Sequence, residues 1–422
     1  MNYDSKEGED EMSKIYTGID LGSDCIKMVV ACKEKEVFHV LAAASHPSSG
    51  IEKGQIANTK DAVDCLKKCI QKAEDMLGLK LKKAVVCVPT EKAEITIVSG
   101  QVELISSSFV EGEDITRVLK DALLGKIDSE HELVTAIPIH FAVDDEIVKD
   151  PKGLKGTTLG IKTVITTVPK EPLYRILEVV RLAGIETVDV AFHTTGDYFE
   201  VRNERLDSEV GAIVNIGKER VDLSVFNKGI MIKNKMIPVG SQFIDKDISY
   251  VYHISKSQAK KLKEEFATAV SRYADQNDVY ELTISEDEKQ EISQTELSKV
   301  VESRVYEILK LVKKELKILT NREIRYIIIT GGLSELAGFP YAVEDILGRD
   351  ARVCNMTTMG VRHNKYSSIL GLLKYYDDKL SLRGKHESMF SDEEVSLLYK
   401  DKKEDITNEH IVSKVFGHFF EN

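Results

Sequence analysis

Three glycine-bearing segments carry the side chains and turns with which this sequence could hold a polyphosphate. In the first, residues 18–30 read GIDLGSDCIKMVV, which sets Asp20, Gly22, Ser23, Asp24, Cys25 and Lys27 around a tight turn between two apolar runs. A tight hairpin can aim several backbone N–H groups at one point and cradle a phosphate. Asp20 could hold Mg²⁺ through water, because that ion keeps much of its hydration shell. Ser23 offers a hydroxyl and Lys27 a positive charge. The second segment lies 195 residues later, where 213–225 read IVNIGKERVDLSV. In frame, Asp20 falls on Asn215, Gly22 on Gly217, Ile26 on Val221 and Lys27 on Asp222, with Lys218 entering the turn. One such hairpin is also an ordinary turn in which glycine supplies positive φ. Two in-frame copies, one in each half of the chain, point to a duplicated domain. The third segment is an apolar run at 326–330 followed by Gly331, Gly332, Leu333 and Ser334. Two glycines there would let backbone approach a flat adenine or ribose.

The elements that must position these residues read as α/β. Strands are predicted at 15–20, 26–31, 37–44 and 84–88, with a helix after Asn58 or Thr59 on apolar positions Ala62, Leu66, Cys69, Ile70, Ala73 and Leu77. From 90 to about 168 the texture changes to alternating strands around one short helix at 115–124, the pattern of an inserted α+β subdomain. A helix at 171–182 ends at Gly184. Strands at 210–216 and 221–226 lead through Asn227-Lys228-Gly229 into 230–239. Helices are predicted near 257–269 and 295–319, separated by a polar, acidic loop region covering 275–291. Residues 378–405 are about half charged and read as a flexible linker.

Composition narrows the function. The 422 residues suggest about three domains. With Lys+Arg 58 against Asp+Glu 70, the net charge of -12 lacks the basic footprint that nucleic-acid binding needs. The six cysteines form no C-x-x-C pair, and Cys65 and Cys69 lie inside an apolar helical pattern, so a reduced, buried pair is expected. The acidic N-terminus is the opposite of a signal peptide, and no apolar run reaches the roughly 18 residues of a spanning helix. A cytoplasmic protein is expected.

In this order, the three segments resemble the phosphate-1, phosphate-2 and adenosine motifs of the actin–Hsp70–sugar kinase superfamily, and within it the FtsA family of bacterial cell division proteins. Further resemblance lies in GIEKGQI at 50–56, in DPKGLKG at 150–156 within the insertion, and in the helix around 302–316. The resemblance covers roughly 15–376 plus the tail. It implies an actin-like, duplicated two-lobe α/β fold: a disordered 1–14, subdomain 1A from 15–89, 171–208 and 361–377, and an inserted subdomain 1C at 90–170. It further implies subdomain 2A from 209–240 and 306–360, 2B at 241–305, the linker 378–405 and an amphipathic helix at 406–422. ATP and Mg²⁺ are the implied ligands, with Asp20 on the metal.

Several positions depart from the family pattern. Its second phosphate loop resembles D-x-G-G-G-T-T-D; here Asn215, Gly217, Lys218, Glu219, Arg220 and Asp222 stand in a loop that has lost one metal-side carboxylate and both threonines. Glu219 would repel a phosphate, and Lys218 and Arg220 could offset it. The family's Glu–Lys pair near the adenosine appears as Lys260 and Lys263. Asp197 falls near an acidic residue that can orient attacking water. Phosphoryl transfer depends on positioning and metal, so binding with weak or absent hydrolysis is expected.

Near the C-terminus, Ile411, Val412, Val415, Phe416, Phe419 and Phe420 recur on one face of a predicted helix. Such a helix can lie in a membrane interface, or dock on a protein. From 409 onward the one firm cation is Lys414, so lipid binding would rest on hydrophobicity and on multivalency from polymerisation. The resemblance implies a scaffold that polymerises and tethers FtsZ to the cytoplasmic face of the membrane at the septum. FtsZ would contact residues around 241–304, and other divisome proteins 90–170. The alternatives are a PilM-like platform protein and a phosphotransferase of the same superfamily.

Overall fold

The computed structural model describes residues 14–104, 109–285 and 288–400. The chain opens with a three-stranded antiparallel meander, β1 (Lys14–Leu21), β2 (Cys25–Glu34) and β3 (Val37–Pro47). The two-residue strands β4 (Ile51–Glu52) and β5 (Gln55–Ile56) follow. Helix α1 (Thr59–Leu77) starts where the Asn58 side chain accepts a hydrogen bond from the Asp61 N–H, and ends at Gly78 in the left-handed region. Its apolar stripe, Leu66, Cys69, Ile70 and Ala73, is buried against the meander. Strand β6 (Lys83–Val88) then pairs parallel to β1.

An inserted layer follows: β7 (Glu94–Glu103), α2 (Gly112–Leu123), β8 (His131–Val143), β9 (Glu146–Val148) and β10 (Thr158–Pro169), in sheet order β7-β10-β8-β9. It has its own core, in which Ile115, Val118 and Ala122 of α2 pack on Phe141, Leu159 and Ile161. The Asp-Pro-Lys-Gly segment docks here through backbone, Gly153 N–H to the Val110 carbonyl and Val110 N–H to that of Leu154. The chain returns to the first lobe through α3 (Lys170–Leu182) and β11 (Glu186–Phe192), which completes a five-stranded sheet ordered β11-β6-β1-β2-β3.

Helix α4 (His193–Val201) leads into the second lobe. There β12 (Val210–Ile216), β13 (Val221–Asn227) and β14 (Ile230–Ile237) form another antiparallel meander. Lys228 and Gly229 both carry positive φ at its hairpin tip, as a two-residue turn requires. Helices α5 (Gln242–Tyr252) and α6 (Lys256–Phe266) are followed by β15 (Val279–Ser285), β16 (Glu288–Ser293) and α7 (Gln294–Leu319). Strand β17 (Tyr326–Thr330) pairs parallel to β12, and after α8 (Phe339–Leu347), β18 (Ala351–Val353) pairs parallel to β17.

The second sheet is ordered β14-β13-β12-β17-β18, the arrangement of the first: a meander with two parallel strands added beside its first strand. The duplication read from two hairpins therefore extends to whole sheets. The aligned residues are also cross-strand partners, Asp20 opposite Lys27 and Asn215 opposite Asp222. Period-2 alternation gives the second sheet two buried faces: Ala212, Val214 and Ile216 face their own lobe's core, and Ile213, Phe226 and Ile328 join the first lobe's. Between the sheets, α4 crosses α9 (Ser367–Leu382).

Three expectations need correction. The acidic 275–291 region is largely the β15–β16 hairpin, because Tyr280, Leu282 and Ile292 alternate inward onto the second core. The boundary at 305/306 also falls inside the continuous helix α7. Residues 378–400 are not linker: α9 runs to Leu382, and α10 (Asp392–Lys400) packs Val395 and Leu398 on the first core. Between them the chain lies along the start of β1, before its pairing with β6 begins. The Ser388 hydroxyl accepts from the Ile15 N–H at 3.1 Å, and the Met389 N–H donates to the Ile15 carbonyl at 3.0 Å. Met389 and Phe390 are buried, so charge-rich composition misread a segment anchored by two apolar side chains. Phe390→Ala is expected to lower stability by about 2–4 kcal/mol, and Leu397→Ala, at an exposed side chain, by less than about 0.5 kcal/mol. Urea unfolding followed by circular dichroism checks both. Apart from Lys14, which opens β1, the 1–14 segment lies outside the described residues, as do 401–422 with the predicted apolar face.

Candidate nucleotide cleft between the lobes

The two hairpin turns and the Gly331-Gly332 turn converge on one cleft of about 480 Å³ between the lobes, within the usual range for small-molecule sites. Asp20, Gly22, Ser23, Asp24, Cys25, Lys27, Asn215, Gly217, Lys218, Lys263, Gly331, Gly332 and Leu333 all line it. Ser334 does not; its hydroxyl turns back to the Gly331 carbonyl at 2.7 Å.

The first turn requires glycine at 22, since a Cβ there would lie 2.8 Å from the Cys25 carbonyl oxygen. Ser23 Oγ accepts from the Gly54 N–H at 3.1 Å, which ties the 50–56 segment to the turn. Asp20 is buried at the end of β1 and forms an ion pair with Lys27; its other oxygen is 2.7 Å from Nε2 of His193. Burial alone would raise the Asp20 carboxyl, but Lys27 and His193 outweigh it and hold it well below the usual carboxylate range. Asp24 reaches across the cleft to Lys260 Nζ on α6 at 2.7 Å and Lys218 Nζ at 3.7 Å. Burial opposes ionisation there too, and Lys260 and Lys218 prevail and lower it.

The second turn is closed by the Gly217 N–H donating to the Arg220 carbonyl. Its own carbonyls are taken by α5, Ser241 N–H to Gly217 and Gln242 N–H to Lys218. Glu219 accepts the Lys53 N–H at 2.5 Å, and Arg220 bridges Asp222 at 2.8 Å and the Lys53 carbonyl at 2.7 Å. Arg220 is thus committed to Asp222 and the opposite lobe, and Lys218 is the cation this turn presents. At the third turn, Gly331 has φ +89°, and a Cβ would lie 2.5 Å from the Ile216 carbonyl oxygen. Only glycine fits between β12 and β17 there. Lys263 is buried in an ion pair with Asp245 at 2.7 Å, and Lys260 serves Asp24.

Asp197 is not positioned to orient water. It is wholly buried behind Asn215 and does not line the cleft. Oδ1 accepts from the Ser367 and Ser368 hydroxyls and Oδ2 from the Asn215 amide at 2.7 Å. Burial raises its carboxyl against those donors. It locks α4, α9 and β12 together. The titratable residue that does enter the cleft from α4 is His193, which sequence reading missed. It stands directly after the last residue of the parallel strand β11, and open α/β sheets place ligands at such carboxyl ends. That rule was the available signal.

The residues do not fit a Mg²⁺ held by Asp20. Its charge is already met by Lys27 and His193, the matching position in the second turn is an amide, and the described residues contain no group of three or more His, Cys, Asp or Glu side chains that could hold a metal.

Comparison with known proteins agrees with this architecture. The sequence model of the family described as Cell division protein FtsA matches residues 212–371, and that of the SHS2 domain inserted in FTSA matches 91–167, together more than half of the chain. The cell division protein FtsA of Bacillus subtilis is 28% identical over 88% of this chain and 86% of that protein. FtsA of Pseudomonas aeruginosa is 26% identical over 91% and 95%. Among solved structures, the PilM-PilN type IV pilus biogenesis complex (TM-score 0.56, 14% identity, 85% of this chain and 97% of that one) shares the fold. So does MreB 5 of Spiroplasma citri bound to AMPPNP (TM-score 0.53, 13% identity, 87% and 97%). Among the described residues, no helix is long and apolar enough to cross a membrane.

Proposed function

Because the chain belongs to the FtsA family of cell division proteins, we propose that it is an ATP-binding, actin-like scaffold that polymerises and tethers FtsZ to the cytoplasmic face of the membrane at the septum. The observation that carries the nucleotide part is the convergence of three glycine turns, from both halves of a duplicated fold, on one cleft. The tether is the 406–422 segment with its recurring apolar residues, and FtsZ and later divisome proteins engage the 241–304 region and the inserted sheet. Hydrolysis is weak or absent, because neither Asp20 nor Asp197 has a carboxylate left to direct water.

The test is co-sedimentation of FtsZ with phosphatidylglycerol–phosphatidylethanolamine vesicles in the presence of this chain and ATP. The full chain is expected to carry FtsZ into the lipid pellet, and a chain ending at Asp405 to leave it in the supernatant. Equal recruitment by both would remove the tail from the tether, and recruitment by neither would overturn the adaptor role.

A further inference from the structure

We propose that the cleft takes its nucleotide without a divalent cation, with Lys218 and Lys260 meeting the phosphate charge that a metal would otherwise meet. The inference rests on the nucleotide reading above and concerns how that ligand is held.

Three acid–base pairs in the lining cancel internally: Asp20 with Lys27, Asp222 with Arg220, and Asp245 with Lys263. None of these carboxylates has uncompensated charge to offer the hydrated shell of a dication. Asn215 replaces a carboxylate with an amide whose N–H₂ is spent on Asp197 and Ser368. Glu219 faces the Lys53 N–H, and Glu335 accepts from the Asn364 N–H at 2.6 Å.

Three lysines of the lining lie outside those pairs, Lys218, Lys260 and Lys365, and the lining Glu264 is an exposed carboxylate 3.9 Å from Lys260. Lys260, from α6 in one lobe, and Lys218, from the β12–β13 turn, both point at a single carboxylate, Asp24, in the β1–β2 turn of the other lobe. Lys365 stands on the same lining. Two ammonium groups converging on one anion form an anion site filled by the chain's own side chain. A nucleotide phosphate carries more charge than a carboxylate and more acceptor oxygens, so it competes for both lysines. Each of the two is about one-third exposed and free to re-aim, which a buried pair such as Lys263–Asp245 is not. Divalent metal bound to the phosphates would instead repel these ammonium groups.

The test is calorimetric titration of the full chain with ATP, once in magnesium chloride and once in EDTA. The expected result is a dissociation constant that agrees within about threefold between the two. Lys218→Ala with Lys260→Ala is expected to weaken binding about tenfold or more in both buffers. Asp24→Asn, which removes the internal competitor, is expected to tighten it. Binding at least about tenfold weaker in EDTA, or a double variant that binds as wild type, overturns the inference while leaving the nucleotide reading standing. No binding in either buffer overturns both.

Discussion

Gly371→Ala is expected to be among the most destabilising single substitutions in the chain, although it adds one methyl group. At the crossing of α4 and α9, a Cβ on Gly371 would lie 1.6 Å from the Gly196 carbonyl oxygen, and one on Gly196 would lie 2.0 Å from that of Ser368. Both obstacles are backbone, so no rotamer change relieves them, and the helices must separate. Those helices form the packing between the sheets and bring Ser367 and Ser368 to Asp197. The cost is expected to be about 3 kcal/mol or more, lowering the melting temperature by roughly 5 °C or more. Gly332→Ala is the control, since nothing lies within 4 Å of its Cβ position, and its melt should match wild type. Equal melts for the two variants would show that the helices are not in this contact.

Lys27→Met is expected to cost about 3–5 kcal/mol, because it strands a buried carboxylate with His193 as its remaining partner. Asp20→Asn combined with Lys27→Met should recover much of that loss, since the pair is then removed together. The pH dependence has a definite sign. Asp20 has its carboxyl depressed in the folded state, so its stabilisation is present above the unfolded value of about 3.9 and is lost as pH falls through the folded value. Lys27 is raised by Asp20 despite burial, which acts the other way and more strongly than any other single influence. Its contribution is present below about 10.4 and disappears only at strongly alkaline pH. In the single variant the stranded carboxyl should take up a proton at higher pH, so stability should rise relative to wild type on mild acidification. Melting temperatures of wild type and both variants from pH 4 to 8 check this. A double variant no more stable than the single one would count against the buried pair as the cause.

The fold was legible because duplication leaves a sequence trace. Asp20, Gly22 and Lys27 recur in frame as Asn215, Gly217 and Asp222, and a glycine turn between strands can be recognised without tertiary information. Runs such as 326–330 read correctly because a strand buried on both faces is continuously apolar. What the sequence hid was partnership across the lobes. Nothing local shows that Lys260 reaches Asp24, that Arg220 bridges Asp222 and residue 53, or that Asp197 is consumed by Asn215, Ser367 and Ser368. The misread of 378–400 has a related cause. Charge density describes solvent-facing residues, whereas Met389 and Phe390, flanked by charges, decide where the segment sits.

These cross-lobe contacts make the cleft a junction as well as a pocket. Lys53 backbone on Glu219 and Arg220, and Asp24 on Lys260 and Lys218, all join the first lobe to the second. A ligand between the turns must rearrange the second set, which lies on the lining.

Nucleotide binding between the lobes is tested by hydrogen–deuterium exchange of the full chain with and without ATP. Simultaneous protection is expected of peptides spanning 20–27, 215–222 and 331–334, which are far apart in sequence and come together at the cleft. Protection confined to one of these segments, or exchange unchanged in all three at saturating ATP, would contradict nucleotide binding between the lobes.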